Sequence, residues 1–247
     1  MFHDIRTLIN FYDADLGQSA AKIIFKKIKE IWPNLHHQKI LGIGYPIPFL
    51  EDLIPIADRF MMAMPAAQGI VQWPKKDVLN SAFLTYEEEL PLPDCCVDYI
   101  LVMHTLENTE STSLFLRECW RVLADHGKIL LLLPNRKGMW SQLSKTPFGH
   151  GRPFTTRQIR NLLEKSSFSF LKRERMLYFP PINKKFILRY ANTWEKTGRL
   201  LYRSFSGALL IEAQKNLFQE CKIKIGYKVA FKPQTVMARQ FKRKNHD

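Results

Sequence analysis

The chain has 247 residues, 46% of them apolar, and carries 37 Lys and Arg residues against 23 Asp and Glu, a formal net charge of +14. This length fits one α/β domain with a substantial core. No run approaches the roughly 20 apolar residues that span a bilayer, and the first residues lack the regions of a signal peptide, so we expect a basic cytoplasmic protein rather than an exported or membrane-spanning one.

The first predicted element is an amphipathic helix in the stretch DLGQSAAKIIFKKIKEIW. Asp15 is expected to be its N-cap, with Gln18 three positions later, and apolar residues follow at helical spacing. Pro33 is expected to end the helix.

The middle of the chain alternates between predicted strands and helices. Four apolar runs have the composition of buried strands: QKILGIG, DRFMMAMP, CVDYILVMH and KILLLLPN. Between the last two lies a predicted helix, ESTSLFLRECWRVL. This alternation requires right-handed crossovers and a mainly parallel sheet that is covered on both faces.

The last third has a different pattern. A helix with a Thr start is predicted in TTRQIRNLLEKSSF, a strand in SFLKRERMLYF, a largely helical segment from 182 to 203, and a strand in GALLIEAQK. Two terminal strands beside a parallel sheet favour an antiparallel pair at its edge.

The four cysteines are predicted to be free thiols in a reducing compartment. Cys95 and Cys96 are adjacent and bridge poorly, and no spacing of cysteines or histidines collects zinc ligands. We therefore expect no metal site.

Charge is distributed unevenly along the chain. Residues 87 to 110 contain seven acidic and no basic residues, whereas 172 to 203 contain nine basic residues and residues 222 to 247 eight more. These basic segments could attract nucleic acid, anionic lipid or an acidic protein, or could be a solvated surface and tail.

The stretch LPLPDCCVDYILVMHTLENTESTSLFLRECWRVLADHGKILLLLPN resembles the central block of class I S-adenosylmethionine-dependent methyltransferases, in their small-molecule, methyltransferase type 11-like branch. The matching positions, in order, are 90–94, Asp98, 104–107, 121–123 and Gly127. The strict similarity runs from about residue 38 to 135, and the order of elements agrees as far as 214. The resemblance implies a Rossmann-like, doubly wound, seven-stranded sheet, mainly parallel with an antiparallel edge strand. It also implies a single domain over residues 1–220, followed by a basic tail over 221–247.

The family's first cofactor loop is altered in this chain. In ILGIGYPIPFL, Gly44 takes the position of the first glycine, which places Gly42 where the family is usually acidic and Pro46 and Pro48 at the second and third glycines. Tyr45 is expected beside the cofactor. Proline fixes φ and brings a ring into space that a close backbone contact would use.

Two further cofactor positions also depart from the family. Met64 stands at the end of the second strand, where the family has a carboxylate for the ribose hydroxyls, and Glu88 could replace the acid that faces adenine. The resemblance therefore places S-adenosylmethionine, bound weakly or no longer bound, at Gly42, Gly44, Tyr45, Met64, Glu88 and His104. Gln68 or Trp73 could also lie where adenosine would be, or Trp73 could be a buried packing residue.

His104 has two interpretations. It follows a central strand at the carboxyl edge of the sheet and could contact cofactor or substrate, or it could cap the next helix. The loop TPFGHGRPF could close over the site as a lid that carries His150 and Arg152 toward an anionic substrate, or it could pack as an ordered loop.

The resemblance implies methyl transfer to an unidentified acceptor. No catalytic residue is predicted, because an in-line methyl displacement depends on positioning more than on acid or base chemistry. The alternative is a non-catalytic protein of the same fold that binds nucleic acid or a protein partner through its basic face.

Overall fold

The computed structural model describes residues 3–50, 57–74 and 80–217. Its helices are α1 (Ile5–Asp13), α2 (Asp15–Ile31), α3 (Thr112–Val122), α4 (Thr156–Lys165), α5 (Lys185–Arg189) and α6 (Ala191–Leu201). Its strands are β1 (Lys39–Gly44), β2 (Arg59–Pro65), β3 (Ala82–Thr85), β4 (Val97–Met103), β5 (Leu123–Pro134), β6 (Phe168–Met176) and β7 (Ala208–Lys215). The predicted tail over 221–247 lies outside the described residues.

One seven-stranded sheet organises the fold, with the order β3-β2-β1-β4-β5-β7-β6. The five strands from β3 to β5 are parallel, and β7 runs antiparallel to both β5 and β6. The predicted fold class is therefore confirmed, with β7 inserted between β5 and the edge strand β6.

Both faces of the sheet are buried. Ile40 and Leu101 face a core formed with α1 and α2, whereas Leu41 and Ile100 face a second core formed with α3 and α4. This explains why the central strands have continuous apolar runs, since successive residues of a strand point to opposite faces.

Two elements were not predicted. β3 consists of only AFLT at the sheet edge, and its partly exposed pattern is too short to stand out as a buried strand. α1 is the other, although Ile5, Leu8 and Tyr12 lie at helical spacing and are buried.

The predicted N-cap of α2 is wrong. Ala14 occupies that position without a side-chain hydrogen bond, and Asp15 is the first helical residue. Ala14 also ends α1, with its N–H bonded to the Phe11 carbonyl, and the Gln18 amide donates to the Asp13 carbonyl. The two helices share one capping residue, so no room is left for a separate Asp cap.

The turn LPLPD is held to α3 by Arg121 and by Glu118, which accepts a hydrogen bond from the Leu90 N–H at 3.0 Å. The Arg121 guanidinium donates to the carbonyls of Leu90 (2.9 Å) and Leu92 (2.8 Å), to Asp94 (2.7 Å), and to both carboxylate oxygens of Glu118 (2.8 and 2.9 Å). Arg121 holds the pKa of the Glu118 carboxyl below its usual range, mainly through this hydrogen bond. Two motifs of the family block are therefore parts of one charged cluster.

Helix α6 packs through a narrow stripe of small or polar side chains. Ala191, Glu195 and Gly198 are its buried residues, and the Glu195 carboxylate accepts a hydrogen bond from the Tyr178 N–H. Burial, the largest cause, raises the pKa of Glu195 from 4.5 to about 7. The other Glu195 oxygen has no hydrogen-bond partner.

Within the described ranges, no helix combines the length and apolar character that a bilayer crossing requires.

Replacing Arg121 should destabilise the domain. We expect Arg121→Met to lower the free energy of unfolding by about 2 kcal/mol, because it removes several charge-assisted hydrogen bonds and leaves Glu118 without its cation. Urea titration monitored by circular dichroism measures this. Arg117→Met is the control, since Arg117 is exposed on the same helix. Equal effects of the two substitutions would contradict the role of the Arg121 cluster.

Glu195 should make stability depend on pH. A carboxyl whose pKa is higher in the folded state stabilises the fold fully below pH 4.5, and this contribution is lost as pH rises through about 7. Glu195→Gln removes the titration, so its stability relative to the natural chain should rise by up to about 3 kcal/mol between pH 4.5 and 8. Thermal melts over this pH range test it, with the exposed Glu89→Gln as control; parallel curves would refute the assignment.

Candidate functional site

The ends of β1 and β4 meet at a glycine that no other residue can replace without rearrangement. Gly44 has φ +88°, and a Cβ there would lie 2.0 Å from the Met103 carbonyl oxygen and 2.2 Å from the Thr105 hydroxyl. The next N–H, of Tyr45, donates to the same Met103 carbonyl at 3.1 Å. The first family glycine is thus kept for close contact between two strand ends.

The two prolines turn the loop back onto its own strand. Pro46 and Pro48 flank the start of a 3-10 turn over Ile47–Phe49, and a Cβ on Gly42 would lie 2.6 Å from the Pro46 ring. Gly42 and Pro46 are both buried. The position that is usually acidic is therefore occupied by a glycine against which the proline ring packs.

His104 lies at the end of β4 in a left-handed backbone conformation, with φ +57°. Its Nε2 is 2.7 Å from the hydroxyl of Tyr12, on α1. Burial, followed by Tyr45 and Glu107, raises the pKa of the Tyr12 phenol well above its usual range, so the phenol remains protonated. His104 does not cap α3, because the side chain of Ser111 does so.

Several buried polar atoms at the carboxyl edge of the sheet, on His104 and on residues after β2 and β4, have no hydrogen-bond partner. They comprise both amide atoms of Gln68, Nδ1 of His104, both carboxyl oxygens of Glu107 and Oδ1 of Asn108. His104 Nδ1 and Glu107 Oε1 are 3.5 Å apart, close enough to attract one another but without hydrogen-bond geometry. Buried polar atoms are nearly always paired, so we expect water or a polar ligand to pair with these atoms.

Helix α1 covers this edge of the sheet. Its first N–H, of Ile5, donates to the Gln68 carbonyl after β2 at 2.8 Å, and Tyr12 contacts both Tyr45 after β1 and His104 after β4. Phe11 packs edge-on against Phe148, in the loop after β5. A ligand that reaches the unpartnered atoms must share this space with α1.

The remaining predicted cofactor residues lie on two sides of the same edge. Met64 is buried, and its sulfur accepts a hydrogen bond from the Val71 N–H at 3.4 Å. Glu88 is half-buried and accepts from the Ser111 N–H at the start of α3 (3.1 Å). Trp73 packs against Phe60, as its packing interpretation expected.

A cavity of about 810 Å³ opens beside α1. It is lined by α1, by the loop after β5 and by residues 181–183. His150 lies on its wall, with its ring 4.2 Å from His3 and its Nε2 2.6 Å from the Ser144 carbonyl oxygen. Burial, then His150 and His104, lowers the pKa of His3 to about 4, so its imidazole is neutral at pH 7.

The structure separates the two predicted lid residues. Arg152 is exposed and does not line the cavity; its backbone N–H donates to the Glu107 carbonyl at 2.7 Å. The loop is therefore bonded to the segment that carries Glu107. Of the two predicted lid residues, only His150 lines the cavity.

Sequence reasoning missed His3, Tyr12 and Asn108. The helical spacing that places Tyr12 on the buried side of α1 was the only available signal, and nothing near His3 or Asn108 indicates their surroundings. Glu107 was noted as part of the family block but given no role at the site.

Comparison with known proteins finds similarity to methyltransferases. Residues 67–131 match the model of a methyltransferase domain. A probable S-adenosylmethionine-dependent methyltransferase from Mycolicibacterium smegmatis is 26% identical over 155 residues. The aligned region covers 58% of this chain and 58% of that protein.

Solved structures show the same fold. A methyltransferase from Thermotoga maritima, described as a possible histamine N-methyltransferase, aligns with a TM-score of 0.58 at 15% identity over 86% of this chain and 96% of its own. The [4+2]-cyclase SpnF aligns with a TM-score of 0.55 at 15% identity over 82% of this chain and 84% of its own. With the strand order, these matches show that the chain has the fold of class I S-adenosylmethionine-dependent methyltransferases and that residues 67–131 are similar to a methyltransferase domain.

Proposed function

We propose that the protein transfers a methyl group from S-adenosylmethionine to an acceptor that is still unidentified. The supporting observation is the set of unpartnered polar atoms on His104, Glu107 and Asn108 after β4, together with those of Gln68 after β2, at the edge of the sheet where this fold binds ligands. A buried polar atom without a partner costs about 1–3 kcal/mol, which a ligand with matching donors and acceptors recovers.

The donor and acceptor types in this set fit the cofactor. The ammonium and hydroxyl groups of S-adenosylmethionine can donate to the Glu107 carboxyl and the Asn108 oxygen. Gln68 can replace the family's ribose-binding carboxylate, in whose position this chain has Met64. Gly42, Gly44 and Tyr45 would form the wall beside β1, and Glu88 stays a prediction for the adenine side. When bound, the cofactor supplies an electrophilic methyl group on sulfur.

Affinity for the cofactor should be lower than is usual in the family. The loop after β1 is folded back by Pro46, and the Tyr12 phenol occupies the space above His104. Binding therefore has to shift α1, which reduces the apparent affinity by the fraction of molecules in which the site is open.

The cavity beside α1 is the proposed acceptor site. His3 is neutral at pH 7 and faces this cavity, so its ring can accept a hydrogen bond from an acceptor hydroxyl or amine. His150, which contacts His3, would help to hold the acceptor. Arg152 as an anion-binding lid residue stays a prediction.

Two further expectations are retained as proposals. The free thiols Cys95, Cys96 and Cys119 are compatible with a cytoplasmic location. Binding of nucleic acid or an acidic protein through the C-terminal region stays a prediction, because residues 218–247 lie outside the described chain.

Calorimetric titration with S-adenosylmethionine tests the proposal directly. We expect binding with a dissociation constant above 1 μM, an order of magnitude set by roughly −8 kcal/mol of binding free energy. Transfer of an isotopically labelled methyl group to small molecules of a cell extract would then identify the acceptor. Failure to bind at millimolar concentration would favour the non-catalytic alternative.

Glu107→Gln should weaken the binding of S-adenosylmethionine without lowering the stability of the ligand-free protein. The substitution removes a carboxyl group that is buried without hydrogen-bond partners, so we expect the ligand-free variant to melt at the same or a higher temperature than the natural chain. Its affinity for S-adenosylmethionine should fall by about tenfold to a hundredfold, the equivalent of one charged hydrogen bond. Glu110→Gln, an exposed neighbour, should change neither quantity. Unchanged affinity in the Glu107 variant would exclude Glu107 from the site.

A further inference from the structure

The surface of α5, α6 and the turn that follows exposes many large apolar side chains. Sixteen large apolar residues are exposed among the described part of the chain, and eight of them lie between residues 182 and 205. They are Ile182, Phe186, Tyr190, Trp194, Leu200, Leu201, Tyr202 and Phe205. Clustering of this kind marks an interaction surface.

Four of these residues make up what we call the aromatic face: Phe186, Tyr190, Trp194 and Leu201. Trp194 and Leu201 are seven residues apart on α6 and so lie on one side of that helix, whereas Phe186 on α5 and Tyr190 precede α6. The rings of Phe186 and Tyr190 are in contact, with centroids 5.1 Å apart. Phe186 is 73% exposed, so this contact is made at the surface.

The inner side of α6 explains why its large residues point outward. A Cβ on Gly198 would lie 2.4 Å from Cβ of Tyr178, so the helix lies very close to the body of the domain. Only Ala191, Gly198 and the hydrogen-bonded Glu195 fit there. The outward position of Trp194 and Leu201 therefore follows from close helix packing rather than from a loosely attached segment.

Cations from three helices line two clefts, between α2 and α6 and between α2 and α5. Lys26 of α2 lines one cleft with Lys196 and Arg199, and Lys22 of α2 lines another with Lys185 and Arg189. We call these six residues the basic flank. Among the acidic residues of the two clefts, Glu30 pairs with Lys27, Glu195 is buried, and Asp15 remains, so the flank is strongly positive.

We propose that α5 and α6 dock the protein on the surface of an anionic lipid membrane. The aromatic face would enter the boundary between headgroups and acyl chains, and the basic flank would lie on the lipid phosphates. Tryptophan, phenylalanine and leucine beside a row of Lys and Arg is the composition of a helix that lies in a membrane interface. This inference does not depend on the proposed methyl transfer.

Charge and side-chain type favour this occupant over three others. The segment 222–247 has eight basic residues and one acidic residue, so it would be repelled by the basic flank, as would a second copy of the same face. Single-stranded nucleic acid stacks its bases on aromatic rings, but Leu200 and Leu201, the former 82% exposed, offer no ring for stacking.

Vesicle co-sedimentation of the full chain tests the proposal. We expect binding to vesicles of phosphatidylcholine with about 30% phosphatidylglycerol, little binding to pure phosphatidylcholine, and weaker binding at higher salt. The double variants Phe186→Ser with Trp194→Ser, and Lys185→Gln with Lys196→Gln, should each bind at least about tenfold more weakly. Matched controls are Leu114→Ser with Leu171→Ser, and Arg117→Gln with Arg157→Gln. These substitutions change exposed apolar or basic residues on other elements.

Tryptophan fluorescence distinguishes insertion from surface adsorption. Trp32, Trp73 and Trp140 are buried and Trp120 is half-buried, so quenching by lipids brominated on their acyl chains should report Trp194. Trp194→Phe should still bind but lose this quenching. Vesicle binding that survives both double variants, or binding without quenching, would overturn the proposal. So would gel shifts of single-stranded RNA that the same variants abolish in the absence of vesicle binding, or a dimer that Phe186→Ser with Trp194→Ser dissociates.

Discussion

The hydrogen bond between Tyr12 and His104 connects the N-terminal helices to the centre of the sheet. The two residues are 92 positions apart, and both are buried. Since a buried hydroxyl or imidazole without a partner is costly, each fixes the place of the other: Tyr12 sets how α1 crosses the strand ends, and His104 holds its unusual backbone conformation. Helix α1, which covers the candidate site, and the end of β4 beneath it are therefore linked, so a shift of one requires a shift of the other.

The altered loop after β1 fits this arrangement. Gly44 is retained because the Met103 carbonyl leaves no space for a side chain, whereas the later glycines of the family would give freedom that this chain does not use. Pro46 and Pro48 fix the turn instead, and Tyr45 and Phe49 then pack against Tyr12. The prolines that replace the family's glycines therefore position Tyr45 and Phe49 for their contacts with Tyr12 of α1.

Local pattern predicted the parts of the fold whose sequence is dictated by burial on two sides. β1, β2, β4 and β5 were found because buried parallel strands need continuous apolar runs, and α4 was found from its Thr start; the structure shows that Thr155 forms a capping box with Gln158 there. β3 was missed because a four-residue edge strand has no such requirement. The site was predicted only as positions around Gly44 and His104, since the contact of Tyr12 with His104 joins residues that no local spacing relates.

The segment from 181 to 205 joins the inside of the molecule to its outer surface. Its first residues line the cavity beside α1, and its last helix is fastened by Glu195 to the backbone of Tyr178. Gly198 packs against the same tyrosine, so α6 contacts Tyr178 through both Glu195 and Gly198. Because burial raises the pKa of the Glu195 carboxyl, the packed position of α6 is more stable at acidic pH than at alkaline pH.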